Sequence, residues 1–135
     1  MDFALSARCQ EYREKLLAFM DERVYPAEAV FEQQIAESGN PHHHTPIMEE
    51  LKAEAKVRGL WNLFHPHPEW GPGLSNADYA PLAEIMGRSL IASEACNCSA
   101  PDTGNMEVLT MFGTAEQLHA SLAIRLRPMI SASGA

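Results

Sequence analysis

Apolar residues recur at steps of three and four along most of the chain, the spacing that places side chains on one face of an α-helix. The first such stripe spans Leu5–Val24. We expect Tyr25 and Pro26 to end this helix, because proline lacks an amide donor and disfavours helical geometry in the residue before it. Pro26 would then open a second helix, which Gly39 ends in a left-handed turn. The stripe of this second helix consists of Ala27, Phe31 and Ile35.

Capping residues and helix breakers divide the rest of the chain into further helices. Thr45, which is followed by proline, predicts the start of a third helix that Gly59 ends. Ser75 predicts the start of a fourth helical run to Leu90, which Pro81 should split or kink. Three further helical segments are predicted: one after Ser93 to about Ala100, one capped by Asp102 that stops at Gly113, and one opened by a Thr114–Gln117 capping box and ended by Pro128.

The loop between the third and fourth helices, residues 60–74, is rich in aromatic side chains and should pack in an ordered way on the helices. No stretch alternates between apolar and polar residues in the manner of a strand bounded by hairpin turns. The predicted fold is therefore all-α, a bundle of five to seven helices around one core. We expect this domain to span residues 1–128, followed by a frayed tail at residues 129–135.

One predicted helix has more apolar surface than a surface helix needs. Its apolar residues are Met106, Val108, Leu109, Met111 and Phe112. They cover roughly 220° of a helical wheel, whereas an amphipathic surface helix needs an apolar stripe of about 100°. This helix is therefore expected either at the centre of the bundle or between the bundle and another piece of protein.

Charge and composition exclude several classes of partner. The 135-residue chain has 10 Lys and Arg against 18 Asp and Glu, a net charge of −8, and its basic residues alternate with acids. Nucleic-acid binding is therefore not expected, since phosphate contacts need clustered cations. The longest apolar run, Leu16–Met20, is too short to cross a membrane, and no secretory signal precedes it. Three cysteines do not suggest a disulfide framework, so we expect a cytoplasmic protein.

The residues taken alone contain no catalytic apparatus. The consecutive histidines at 42–44 favour a solvated loop over a metal site, although a histidine-loop metal binder remains a weaker hypothesis. Cys96 and Cys98 lack a second cysteine pair and are interpreted as small buried thiols. Glu84 and Glu94 lie in apolar helical runs, where a salt bridge or a cap is expected. Phosphate-binding glycine loops and a nucleophile elbow are both missing from the sequence.

Several ordered segments nevertheless resemble one family. Residues 97–117 read Asn-Cys-Ser-Ala-Pro-Asp-Thr-Gly-Asn-Met-Glu-Val-Leu-Thr-Met-Phe-Gly-Thr-Ala-Glu-Gln. This run resembles the end of the N-terminal helical domain of the acyl-CoA dehydrogenases. Residues 73–89 resemble the preceding helix of that family, and the Val24–Glu28 segment also fits. The resemblance covers about residues 3–118 and is closest to the dehydrogenase portions of multidomain members.

The resemblance implies a flavoenzyme. In this family an FAD takes a hydride from the β-carbon of an acyl-CoA while a glutamate removes the α-proton, which gives a 2-enoyl-CoA. A middle β-domain and a C-terminal helical domain supply the base and most flavin contacts. We therefore expect no catalytic residue and no tight FAD binding in this chain alone. Residues 120–135 follow the family only loosely, which suggests a truncated or frame-shifted product or a domain fragment.

The family resemblance also implies a role for this chain in substrate binding. It assigns to the chain a wall of the acyl pocket, where short side chains would leave room for a ligand. The expected wall residues are Asn97, Cys98, Ala100, Pro101, Gly104 and Asn105. Close helix packing is the alternative reason for these small residues. A stand-alone helical module that docks on separate subunits, or forms a homodimer, is the alternative function.

Overall fold

The computed structural model describes residues 4–118, which form helices joined by turns and contain no strand. The helices are α1 (Ala7–Phe19), α2 (Tyr25–Ser38), α3 (Pro46–Val57), α4 (Asn76–Met86), α5 (Ala92–Ala95) and α6 (Asp102–Phe112). The all-α prediction is confirmed. The predicted helix end at Pro128 and the tail at 129–135 lie outside the described residues. Within residues 4–118, none of the helices is long and apolar enough for a transmembrane span.

The prediction that Tyr25 and Pro26 interrupt the first helix is wrong. A π-helical turn, Met20–Val24, connects α1 to α2 without a break, and the amide of Tyr25 donates to the carbonyl of Met20. A π turn is wider than an α turn, so the chain stays helical although Pro26 supplies no amide hydrogen. Met20 and Val24 are fully buried, and their packing in the core favours this continuous path.

Local capping predictions are confirmed at several helix ends. The hydroxyls of Thr45 and Ser75 accept hydrogen bonds from backbone amides in the first turns of α3 and α4. Gly39 ends α2 with a φ of 65°, in the left-handed region that a side chain disfavours. Thr114 and Gln117 form the predicted reciprocal capping box, with amide-to-side-chain distances of 2.9 and 3.2 Å.

The chain from α4 to α6 differs from the prediction in four details. Helix α4 is not split at Pro81, which leaves only the carbonyl of Ala77 without its helical hydrogen bond; the alternative of a kink there stays a prediction. It ends at Met86, not Leu90, and the side chain of Leu90 is fully exposed. Helix α5 is only four residues long, ending well before Ala100. Asp102 belongs to the first turn of α6 rather than capping it.

The core has two parts, and the smaller part positions α6. The main cluster is formed by residues of α1, the π-helical turn and α2–α5, together with Leu60, Leu63 and Leu74 of the loop at 60–74. The second cluster joins this loop to α6 through Phe64, Trp70 and Met106. The prediction of an ordered loop is therefore confirmed. Helix α6 rests on the loop by one side and faces outward on the other.

Candidate functional site

Helix α6 is anchored by a single fully buried side chain and is apolar on its opposite side. Met106 is 1% exposed and packs between Phe64 and Trp70. Val108, Met111 and Phe112 are 57%, 70% and 77% exposed. The central position considered for this helix is therefore excluded: among the described residues, α6 lies at the surface with an exposed apolar face. That another piece of protein covers this face stays a prediction.

Two of the predicted site residues extend this apolar face. Gly104, Val108 and Met111 follow one another at steps of four and three, as do Asn105, Val108 and Phe112 at steps of three and four. This spacing places all five on one side of α6. We call these five residues, Gly104, Asn105, Val108, Met111 and Phe112, the outer face of α6.

At the N-terminal end of the outer face, there is open space beside the backbone of Gly104. A Cβ atom built on Gly104 would meet no atom within 4 Å. Close packing within the described residues is therefore not the reason for a glycine at this position. Ala100 and Pro101, two further predicted site residues, are also exposed and precede α6, and the peptide bond between them is cis.

The remaining two predicted site residues, Asn97 and Cys98, face the interior. Asn97 is 8% exposed and donates from its side-chain amide to the Asn62 side-chain oxygen at 2.6 Å. The same amide lies 3.6 Å from the sulfur of Met106. Cys98 packs against both core clusters. The structure thus separates the six residues into four at the surface and two that support α6 from behind.

The thiols of Cys96 and Cys98, near this site, are expected to be unreactive. Burial raises the pKa of the Cys98 thiol to about 11. Burial also raises the pKa of Cys96 and that of the Tyr79 hydroxyl, which hydrogen-bonds to Cys98. Both thiols therefore stay protonated at neutral pH, which makes them poor nucleophiles and poor metal ligands. The interpretation as a small buried thiol is confirmed for Cys96, whereas Cys98 is only partly buried.

The other candidate chemical groups are the histidines at 42–44 and the two carboxylates in apolar helical runs. The histidines at 42–44 are exposed, as expected of a solvated loop, and line a groove of about 340 Å³. Glu94 pairs with Lys52 at 3.0 Å and Glu84 with Arg88 at 3.3 Å, which confirms the predicted salt bridges. Among residues 4–118, no three His, Cys, Asp or Glu side chains are grouped so that they could hold a metal ion.

Sequence reasoning missed a buried histidine beside the outer face. His65 is 1% exposed, and its Nε2 atom lies 3.1 Å from the hydroxyl of Thr110 in α6. His65, His67, Glu107, Thr110 and Met111 contribute to a cleft of about 430 Å³ that borders the outer face. The aromatic character of the loop was the only signal for such packing, and it does not indicate which histidine is buried.

The known proteins that are similar to this chain are described as acyl-CoA dehydrogenases. The probable acyl-CoA dehydrogenase FadE2 of Mycobacterium tuberculosis is 53% identical over 133 residues, covering 96% of this chain and 31% of that protein. Acyl-CoA dehydrogenase family member 10 of Mus musculus is 47% identical over 118 residues, 84% of this chain and 11% of that protein.

A solved structure shares the fold. It is of a protein from Mycobacterium abscessus described as an acyl-CoA dehydrogenase; it is 45% identical and superposes with a TM-score of 0.79 over 91% of this chain and 32% of that one. No family model matches the chain. The chain thus spans about a third, or less, of the length of the relatives it matches.

Proposed function

Since this chain is homologous to the N-terminal helical domain of the acyl-CoA dehydrogenase family, we propose that it serves as that domain in an FAD-dependent acyl-CoA dehydrogenase. The complete protein would oxidise an acyl-CoA to a 2-enoyl-CoA. Within it, this chain would contribute one wall of the acyl pocket and the surface on which the rest of the protein docks. The proposal for the wall rests on the six residues named above, four of which lie on or next to the outer face of α6.

The exposed outer face of α6 is the observation that carries this proposal. Three large apolar side chains there are more than half exposed, although Met106 on the opposite side is almost completely buried. Contiguous apolar patches of this kind mark ligand grooves and protein interfaces. The open space at Gly104 favours the same role, because an acyl chain or a neighbouring domain can approach the backbone there.

The described residues fit a wall of the site better than a flavin site. Helix α6 contains no lysine or arginine, so its outer face offers no cation to the pyrophosphate of FAD. The cleft that borders it adds two histidines and the acidic Glu107, whose negative charge would repel a phosphate group. We therefore assign most of the FAD contacts, and the catalytic base, to protein outside residues 4–118. By this proposal the isolated chain neither binds FAD tightly nor dehydrogenates an acyl-CoA.

A chimera tests the proposal directly. This chain would replace the matching third of the M. tuberculosis relative, and flavin bleaching by an acyl-CoA would be followed between 300 and 500 nm. We expect the chimera to be active and Val108→Thr, which adds polarity without changing shape, to weaken it. Val57→Thr is the matched control, since Val57 is 87% exposed and lies on α3. Equal effects of the two variants, or turnover by the isolated chain, would contradict the proposal.

The same face also permits the second candidate function, a module that docks on separately encoded subunits or pairs with its own copy. Light scattering coupled to gel filtration separates the two cases. A dimer that persists at low ionic strength and dissociates when Phe112 is changed to serine would favour the module. A monomer at all concentrations under the same low-salt conditions would leave the dehydrogenase domain as the better explanation of the outer face.

A further inference from the structure

The hydrogen bonds of His65 allow only one arrangement of its protons. Its Nδ1 atom lies 3.2 Å from the backbone amide of His67 and accepts the amide hydrogen, so Nδ1 carries no proton itself. The Thr110 hydroxyl, 3.1 Å from Nε2, uses its single hydrogen on the carbonyl of Met106 at 2.7 Å. The Thr110 oxygen must therefore accept a hydrogen from Nε2.

These contacts connect the loop at 60–74 to α6 at a second point. Met106 is held by apolar packing, and Thr110 is held one turn later by the imidazole of His65. A second proton on His65 would sit on Nδ1 and point at the amide hydrogen of His67. Both groups would then be donors, and the loop would have to move to separate them.

We propose that His65 is a positioning residue for α6, and that it holds the helix in place only while its imidazole is neutral. The functional consequence rests on the proposed function, since it concerns the face that would dock or line the acyl pocket. Val108, Met111 and Phe112 lie within two residues of Thr110 along α6. Loss of the His65–Thr110 hydrogen bond at low pH would therefore make the C-terminal end of the outer face more mobile.

The groups around His65 determine the pH range of the effect. Burial is the main cause that lowers the pKa of His65 below its usual value, and the neighbouring His67 lowers it further. The ring centres of the two histidines are 6.1 Å apart, so protonated His67 would repel a second cation. A hydrogen bond with the His67 backbone and the charge of Glu107 on α6 both act in the opposite direction, and both are weaker influences on the pKa of His65.

The sign of the pH dependence follows from the lowered pKa. An unfolded histidine takes up its proton at about pH 6.5, while folded His65 does so only at lower pH. The stabilising contribution of neutral His65 is therefore complete above about pH 6.5. It is lost progressively as the pH falls towards the pKa of the folded state.

The first test uses the unmodified chain labelled with ¹⁵N. Long-range proton–nitrogen spectra report which ring nitrogen carries the proton, and we expect His65 to carry it on Nε2. Its pKa should lie below the ordinary histidine value of about 6.5. Amide-exchange protection at residues 109–112 should fall about fivefold to tenfold as His65 titrates, the change expected from one net hydrogen bond. Protection in α3 should not follow this titration.

Variants of Thr110 and His67 provide matched controls. Thr110→Val removes the acceptor while keeping the shape, and it should uncouple protection of α6 from the titration of His65. Thr110→Ser keeps the hydroxyl and should retain the coupling. His67→Gln keeps the backbone amide that donates to Nδ1, so it should retain the coupling at a slightly higher pH.

Two results would overturn the inference: a proton on Nδ1 of His65 at neutral pH, or protection of α6 that ignores the titration in the unmodified chain. Neither measurement involves flavin, an acyl-CoA or a partner. An inactive chimera would count against the proposed function and leave this inference standing. An active chimera, together with amide-exchange protection of α6 that does not follow the titration of His65, would overturn this inference and leave the proposed function standing.

Discussion

Asn97 and Asn62, 35 positions apart in sequence, are joined by a buried side-chain hydrogen bond of 2.6 Å. Both have left-handed backbone geometry, with φ values of 53° and 56°. The side-chain amide of Asn62 donates in turn to the carbonyl of Trp70 at 2.7 Å. This pair therefore connects the loop at 60–74 to the segment that leads into α6, and it fixes the helix from the side opposite its outer face.

Two substitutions at Asn97 separate its hydrogen bond from its backbone geometry. Asn97→Gly keeps the left-handed conformation but leaves the buried oxygen of Asn62 unpaired, and should cost about 1–3 kcal/mol in the free energy of unfolding. Asn97→Ala should cost about 1 kcal/mol more, because alanine is strained at positive φ. Urea denaturation measures both values. A glycine variant as stable as the original chain would contradict the role given to the hydrogen bond.

The two sides of α6 should respond differently to the same change. Met106→Ala removes a fully buried side chain and should lower the free energy of unfolding by about 2–5 kcal/mol. Met111→Ala, on the exposed outer face, should change the free energy of unfolding by no more than about 0.5 kcal/mol. Thermal and urea denaturation check both variants. If Met111→Ala were as destabilising as Met106→Ala, the outer face would be covered by this chain itself.

Gly104→Ala tests whether the open space on α6 is needed for function. Alanine is the better helix former, and nothing lies within 4 Å of the new methyl group, so stability should rise by about 0.5–1 kcal/mol. The chimera with the M. tuberculosis relative should lose activity nonetheless, because the methyl group would occupy the wall of the acyl pocket.

Gly113→Ala is the control, because a methyl group at this position would clash with the backbone of α6. A Cβ atom there would lie 2.5 Å from the carbonyl oxygen of Leu109, so this change should destabilise the chain. A Gly104→Ala chimera with full activity and higher stability would remove Gly104 from the proposed wall.

Acid sensitivity is expected where α1 meets α4. Asp78 accepts hydrogen bonds from the hydroxyls of Ser6 and Ser75, at 2.6 and 2.7 Å, and these bonds lower its pKa. The carboxylate therefore stabilises the fold above the unfolded pKa of about 3.9, and this contribution is lost as the pH falls through the lower folded value. Urea midpoints of Ser6→Ala should depend less steeply on pH below 4 than those of the original chain. Identical pH profiles would contradict the coupling.

Features set by neighbouring residues were predictable from the sequence. Thr45, Ser75 and Gly39 act within one turn of their own positions, and the structure agrees with each. The outer face of α6 was predictable for a similar reason, since an excess of apolar residues around a helix depends only on their spacing. Its position at the surface, however, had to be read from the structure.

Features set by distant contacts were not predictable. Pro26 is a local signal for a break, but the burial of Met20 and Val24 keeps the chain helical through a wider turn. Asn97 and His65 turn inward because of partners 35 and 45 residues away, which no local pattern reveals. Periodicity identifies faces of helices, whereas the partner of a polar side chain depends on how the loops fold back.

The outer face of α6 belongs to a molecule with a net charge of −8, and the two properties oppose each other during association. At low ionic strength, mutual repulsion keeps the apolar faces of separate molecules apart. At about 1 M salt, where the screening length shrinks to about 3 Å, that repulsion is almost gone. Salt, commonly added to keep proteins dispersed, should therefore make this one self-associate through α6.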